Sequence, residues 1–180
     1  MTVHLVLGGA RSGKSSFAES QVIDLSDNRV KHYVATAIAF DDEMKKRIEH
    51  HQISRGNTWV EHECPTQLPE LVAQFTASDV VLIDCLTLWL NNVIYNDGND
   101  ITEQEIKHTV ERLVLALERS SATILLVSNE VGLGVIPLGE VSRLFVDHAG
   151  WMNQAIARVA EKVTFVAAGL PMSLKDVTEG

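Results

Sequence analysis

Eight residues near the N-terminus have the types and spacing to hold a triphosphate. Gly8, Gly9, Ala10, Arg11, Ser12, Gly13, Lys14 and Ser15 match the pattern GxxxxGK[ST]. A triphosphate needs many hydrogen-bond donors packed closely around it. Glycines let main-chain N–H groups approach and curl into an anion-binding nest. A helix that begins at Lys14 adds its positive end. Lys14 neutralises the β- and γ-phosphates, and Ser15 offers a hydroxyl to Mg²⁺. The apolar run Val3–Gly8 precedes the motif, so a buried strand leads into the loop as the mechanism requires.

A second acid belongs beside such a loop. Val80-Val81-Leu82-Ile83-Asp84 puts a carboxylate at the end of a buried strand, where it can hold Mg²⁺ directly or through water. The other reading of Asp84 is a cap for the helix that follows. Asn129-Glu130 ends another apolar strand, and ligands bind at such tips in open α/β sheets. The stretch from Asp41 to His51 is rich in chemistry too. On a helix, Met44, Ile48 and His51 share one face, with His50 on a more polar side. A neutral imidazole is a competent nucleophile near pH 7 and could attack an α-phosphorus. Spacing alone favours packed or surface histidines at His50 and His51 over a nucleophile. Adjacent helical positions diverge, so the pair does not read as a metal site.

The elements that must position these groups alternate. Strands are expected at Val3–Gly8, His32–Ala37, Val80–Cys85, Thr123–Ser128 and Val163–Ala168, with a more exposed strand at Trp59–Glu63 and an edge strand at Pro171–Leu174. Helices are expected at Lys14–Leu25, Asp41–Ile53, Thr66–Phe75, Thr87–Tyr95 and Ile101–Arg119. A long helix at Glu140–Ala160 carries an expected break near Gly150. Asn96–Asp100 and Asn129–Gly139 read as loops. Strand and helix alternating in this way imply an α/β fold, with a mainly parallel sheet and helices on both faces.

Composition narrows the partners. The 180 residues fit one domain, 1–180, with no linker or repeat to divide it. A net charge of −9 argues against general affinity for nucleic acid or anionic membranes, while leaving room for a local basic pocket. No stretch reaches the roughly 20 apolar residues of a membrane span. The start of the chain lacks the basic region of a secretory leader. Cys64 and Cys85 are expected as free thiols in a reducing cytoplasm.

Several stretches together carry a resemblance. GGARSGKS, the HYVATA strand, the DDEMKKRIEHHQISR helix, the strand end DCLT and the loop SNEVGLGVIP occur in the order found in one family. The chain resembles the bifunctional adenosylcobinamide kinase/adenosylcobinamide-phosphate guanylyltransferases of cobalamin biosynthesis. Many enzymes share the P-loop; the histidine helix and the SNEVG loop are far more specific. The resemblance implies a RecA-like P-loop NTPase fold and two reactions. The aminopropanol hydroxyl of adenosylcobinamide is phosphorylated with ATP or GTP. GMP is then transferred from GTP to that phosphate through a GMP-histidine, giving adenosylcobinamide-GDP and pyrophosphate. It implies His51 as the guanylylated residue. GTP contacts fall on Gly8 to Ser15, on Ala35, Thr36 and Ala37, on Gln52, Ile53, Ser54 and Arg55, on Glu63 and on Asp84. It further implies Mg²⁺ at Ser15 and Asp84, and a homo-oligomer such as a trimer. Asp84 stands where enteric members carry Glu, which keeps the carboxylate and shortens it.

Two other functions fit the P-loop by itself. One is a small-metabolite or nucleoside kinase with no covalent step. The other is a nucleotide sensor that only changes shape. The residues name no general base for a kinase step.

Overall fold

The computed structural model describes residues 2–38, 58–95, 101–134 and 137–177. The expected helix Asp41–Ile53 and loop Asn96–Asp100 lie outside these residues. His50, His51, Gln52, Ile53, Ser54 and Arg55 lie outside them too.

Among the described residues, seven strands form one sheet: β1 (Thr2–Gly8), β2 (Val30–Ala35), β3 (Trp59–Glu63), β4 (Asp79–Asp84), β5 (Thr123–Asn129), β6 (Lys162–Ala167) and β7 (Leu170–Asp176). Their spatial order is β3-β2-β4-β5-β1-β6-β7. Every pairing is parallel except β6 with β7. Parallel strands need crossovers, and the helices supply them: α1 (Lys14–Ser26), α2 (Leu68–Val72), α3 (Leu86–Tyr95), α4 (Glu103–Arg119) and α5 (Glu140–Val159).

Both faces of the sheet are covered, so its central strands read as continuous apolar runs. Val80, Val81, Leu82 and Ile83 of β4 are all fully buried. Burying each such side chain contributes about 1.5–3 kcal/mol. On one face α1 sets Ala18 and Val22 against Val6, Leu82, Leu125 and Val127. On the other, α2 to α5 cover Leu5, Leu7, Ile83, Ile124 and Leu126 with Leu86, Leu113, Leu117, Met152 and Ile156 among others.

The element bounds differ from expectation in instructive places. α5 runs unbroken through Gly150. An interior glycine costs only about 1 kcal/mol, and burial of Ala149, Met152 and Ile156 around it outweighs that. α2 is shorter than Thr66–Phe75: Pro65 and Thr66 make the bend into it, and the chain turns out of it at Ala73 and Gln74. β2 begins earlier and ends at Ala35, where its pairing with β4 stops at Asp84. The final strand is longer than Pro171–Leu174. It turns back from β6 through Ala168 and Gly169, both with positive φ (52° and 77°). Two such residues make the tight hairpin turn that matches strand twist. Among the described residues, no helix is long and apolar enough to cross a membrane.

Candidate active site

Parallel pairing brings the strand tips to one edge of the sheet. Glu63, Ala35, Asp84 and Val127 lie side by side in register across β3, β2, β4 and β5. Gly8 and Asn129 pair two residues further along, on β1 and β5. Residues far apart in the chain, expected from sequence to meet one nucleotide, therefore share one edge. The topology alone accounts for this.

The loop from Gly8 to Ser15 has the backbone its glycines predict. Gly13 has φ +92° and precedes α1 without a side-chain cap. The first N–H groups of α1 are then left for an anion, with the helix dipole behind them. The first helical bond runs from the Phe17 N–H to the Gly13 carbonyl. A side chain at Gly8 would meet the Val166 carbonyl at 2.6 Å and Ser12 Oγ at 2.5 Å. Only glycine lets the chain pass there. The hairpin turn holds the loop from outside: the Gly169 N–H donates to the Ser12 carbonyl at 2.8 Å. Sequence reading did not find this brace. Nothing in the spacing of Gly169 from Ser12 signals it.

Within the loop, Lys14 is buried and donates to the Gly9 carbonyl at 3.0 Å. Ser12 Oγ is buried with no hydrogen-bond partner among the described residues. A buried hydroxyl without a partner is costly unless a ligand completes it. Orphan hydroxyl, uncapped helix and cationic Lys14 together fit a phosphate chain. Ser15 is half-buried in the first turn of α1, and Asp84 is half-buried at the tip of β4. A hydroxyl and a carboxylate oxygen are the donors a hard divalent ion takes beside phosphates.

A buried network fixes the Asp84 tip. The Asp84–Cys85 peptide is cis. Thr36 Oγ1 donates to the Cys85 carbonyl at 2.7 Å and accepts from the Cys85 N–H at 2.8 Å. The Thr36 N–H donates to the Asp84 carbonyl, and Asn92 Nδ2 donates to the Thr36 carbonyl. Thr36 is thus buried with each polar group used inside the protein, while Ala35 and Ala37 beside it are partly exposed. The Tyr33 hydroxyl lies 3.4 Å from Asp84 Oδ2. Burial, reinforced by the Asp84 carboxylate, pushes the Cys85 thiol up from its ordinary range. Burial does the same to Cys64. Both cysteines are free and buried.

The β5 tip is also ordered. Thr87 Oγ1 accepts from the Asn129 main-chain N–H (3.3 Å) and from Asn129 Nδ2 (2.9 Å). The Glu130 N–H donates to the Gly8 carbonyl at 3.1 Å, tying this tip to the P-loop. Glu130 Oε1 accepts from the Gly132 N–H at 2.8 Å. Thr87 and Asn92, which brace these tips from α3, were not legible as site residues. They look like ordinary polar positions of an apolar helix.

Comparison with known proteins fixes the family. A model of the family described as cobinamide kinase / cobinamide phosphate guanyltransferase matches residues 4–174. The bifunctional adenosylcobalamin biosynthesis protein CobP of Pseudomonas aeruginosa is 46% identical over 172 residues, covering 95% of this chain and 96% of that protein. The corresponding CobU of Escherichia coli is 38% identical, covering 95% and 98%. Among solved structures, a KaiC-like protein from Pyrococcus horikoshii superposes with TM-score 0.51 at 11% identity, covering 91% of this chain and 70% of that one. An ATPase domain does so with the same score at 15% identity, covering 91% and 68%. These two likenesses concern the fold alone and agree with a P-loop NTPase sheet. With the P-loop, the acidic strand tip and a family match across nearly its whole length, the chain belongs to the cobinamide kinase / cobinamide phosphate guanyltransferase family.

Proposed function

We propose that this chain phosphorylates the aminopropanol hydroxyl of adenosylcobinamide with ATP or GTP and then transfers GMP from GTP to the new phosphate. The observation that carries this is the uncapped, lysine-bearing P-loop beside Asp84, set in a sheet that the family match covers from His4 in β1 to Leu174 in β7. A kinase without a covalent step is not favoured, because the family it would have to leave is bifunctional. Residues 1–180 act as one transferase domain, supported by a single sheet that takes strands from Thr2 to Asp176. Its setting is the cytoplasm, where GTP and ATP are made.

In the kinase step, Lys14 and the first N–H groups of α1 stabilise charge on the transferred phosphoryl group. Ser15 and Asp84 would hold Mg²⁺, which would supply neutralisation of phosphate charge. In the second step His51 attacks the α-phosphorus of GTP, and pyrophosphate leaves from the same P-loop. Ala35, Ala37 and Glu63 flank Asp84 on the shared edge and face the nucleotide. Thr36 supports them from beneath. Gln52, Ile53, Ser54 and Arg55 follow His51 and complete the guanylyl pocket. A homo-oligomer, trimeric as in the family, is the working assembly.

The test uses GTP labelled at the α-phosphate. The protein takes up acid-labile, base-stable label, and His50→Ala keeps it. His51→Ala loses the label and adenosylcobinamide-GDP formation, yet still phosphorylates adenosylcobinamide. Formation of adenosylcobinamide-GDP at the normal rate by His51→Ala would remove His51 from the mechanism.

A further inference from the structure

The P-loop accounts for the nucleotide and leaves open where the much larger acceptor lies. A groove of about 450 Å³ runs between α5 and the β6–β7 edge. Its floor is apolar, with Leu7, Val163 and Ala157, and Leu174 forms one wall. Glu130, Gln154 and Lys175 add polar groups along it. One end abuts the nucleotide site directly. Leu7 immediately precedes Gly8, and the Glu130 N–H is bonded to the Gly8 carbonyl. The groove also continues onto open surface. Met172 pairs with Phe165, and Leu170 with Ala167, so both project from the α5 face of the sheet. Leu170, Met172 and Leu174 are 72%, 57% and 56% exposed. An apolar shelf at a sheet edge, continuous with a reaction centre, marks a binding surface.

We infer that this groove and shelf bind the acceptor, with the ring system against Leu170, Met172 and Leu174 and the hydroxyl arm reaching Glu130. The inference rests on the functional reading above. A corrinoid ring presents apolar faces and edges fringed with amides. The apolar walls suit the first, and Gln154 and Glu130 suit the second, while Lys175 Nζ is spent on the Ala157 and Arg158 carbonyls and ties β7 to α5. Glu130 is the group at the nucleotide end of the groove. Its Oε1 is held by the Gly132 N–H, which fixes the carboxylate and leaves Oε2 for the substrate. In the phosphoryl transfer, the hydroxyl proton passes to Glu130 as the hydroxyl oxygen bonds to the γ-phosphorus. The bond from that phosphorus to the β–γ bridging oxygen breaks, and the nucleoside diphosphate leaves with its charge beside Lys14.

Two groove variants and one tip variant test this. Gln154 is exposed on α5 and Leu174 is exposed on β7, so Gln154→Trp and Leu174→Glu leave the core intact. Each raises the KM for cobinamide at least tenfold, while the KM for GTP and GTP-dependent labelling of the protein stay unchanged. Glu130→Gln lowers kinase kcat by about 10²-fold, with the cobinamide KM within a factor of two. Oligomeric state is followed by light scattering in parallel. An unchanged cobinamide KM in both groove variants overturns the inference. So does a rise that appears only together with a change in assembly, because a second copy of the chain then covers the shelf. A full kinase rate in Glu130→Gln removes Glu130 from the proton transfer. Absence of cobinamide phosphorylation by the unaltered protein defeats the functional reading itself and is seen before any variant is compared.

Discussion

The P-loop and the histidines inside the sheet are both dense in polar groups, and they differ in what is left over. On the face beneath Phe75, His62 Nε2 lies 2.9 Å from His32 Nδ1, and His32 Nε2 lies 3.1 Å from Asp79 Oδ1. Asp79 Oδ2 also accepts from the Thr76 N–H and Oγ1. Both nitrogens of His32 and both oxygens of Asp79 are thus used within the protein. On β1, His4 Nε2 meets Thr164 Oγ1 at 2.8 Å, deep in the structure. The cradle is the opposite. It keeps an uncapped helix start, a Ser12 hydroxyl without a described partner and a lysine with one described bond. Between these two regions, unused hydrogen-bonding capacity, more than polarity, separates the one that binds something from the one that holds the fold together. Among the described residues, no cluster of histidine, cysteine and carboxylate is arranged to hold a metal ion.

The largest effect follows from emptying the open region of its charge. Lys14→Ala is expected to lower both phosphorylation and guanylyl transfer by about 10²- to 10³-fold. Stability falls by no more than about 1–3 kcal/mol, since among the described residues the ammonium's one bond is that to the Gly9 carbonyl. Steady-state assays of both reactions beside a urea titration check this. A variant that unfolds while the residual native fraction stays fully active would turn Lys14 into a member of the closed class.

The next effect belongs to the closed class. Burial, helped by the nearby Lys162 cation, lowers the His4 pKa to about 4. A histidine held neutral in the folded state binds more protons when unfolded. Its stabilising contribution is therefore complete above the unfolded value near 6.5 and is lost as pH falls through about 4. That window is worth on the order of 3 kcal/mol. Denaturant titrations at pH 7, 5.5 and 4.5 should show the decline, and His4→Gln should flatten it. An equal slope in the variant would assign the acid sensitivity elsewhere.

This contrast explains what the amino-acid sequence disclosed. The P-loop was legible because its chemistry needs consecutive residues, and the strand ending at Asp84 because full burial leaves an unbroken apolar run. The edge strand Trp59–Glu63 was also legible, as a more exposed strand. Long-range partners were not. Thr36 closes on Cys85, 49 residues away, and Gly169 braces Ser12 from the far end of the chain. The unbroken passage of α5 through Gly150 was missed because local propensity weighed against it and tertiary burial decided it. The closed histidine chain was invisible for the same reason. His32, His62 and Asp79 come from three strands, and only the sheet order sets them side by side.

The smallest expected effect probes that chain. For neutral rings, the Asp79 carboxylate can only accept, so His32 must present its Nε2–H to Asp79. His32 Nδ1 is then an acceptor, and His62 must donate through Nε2. One carboxylate sets both tautomers. Burial and the adjacent His32 lower the His62 pKa, which keeps that ring neutral as the arrangement requires. Hydrogen bonds from Thr76 and His32 hold the Asp79 carboxyl below the usual range despite its partial burial. Asp79→Asn weakens the bond to His32 and trades a charged acceptor for a neutral one. A loss of about 1–2 kcal/mol is expected, the size of one charge-assisted bond. Kinase and guanylyl-transfer rates at pH 7.5 should stay within twofold, because the strand tips at the other end of β4 do not depend on this contact. The nitrogen-15 shifts of the two imidazoles report the tautomers independently of stability. In the native protein, Nε2 of both rings carries the proton; in Asp79→Asn that preference is released. Unchanged imidazole shifts, or a fall in activity without a fall in stability, would place this chain with the open region instead.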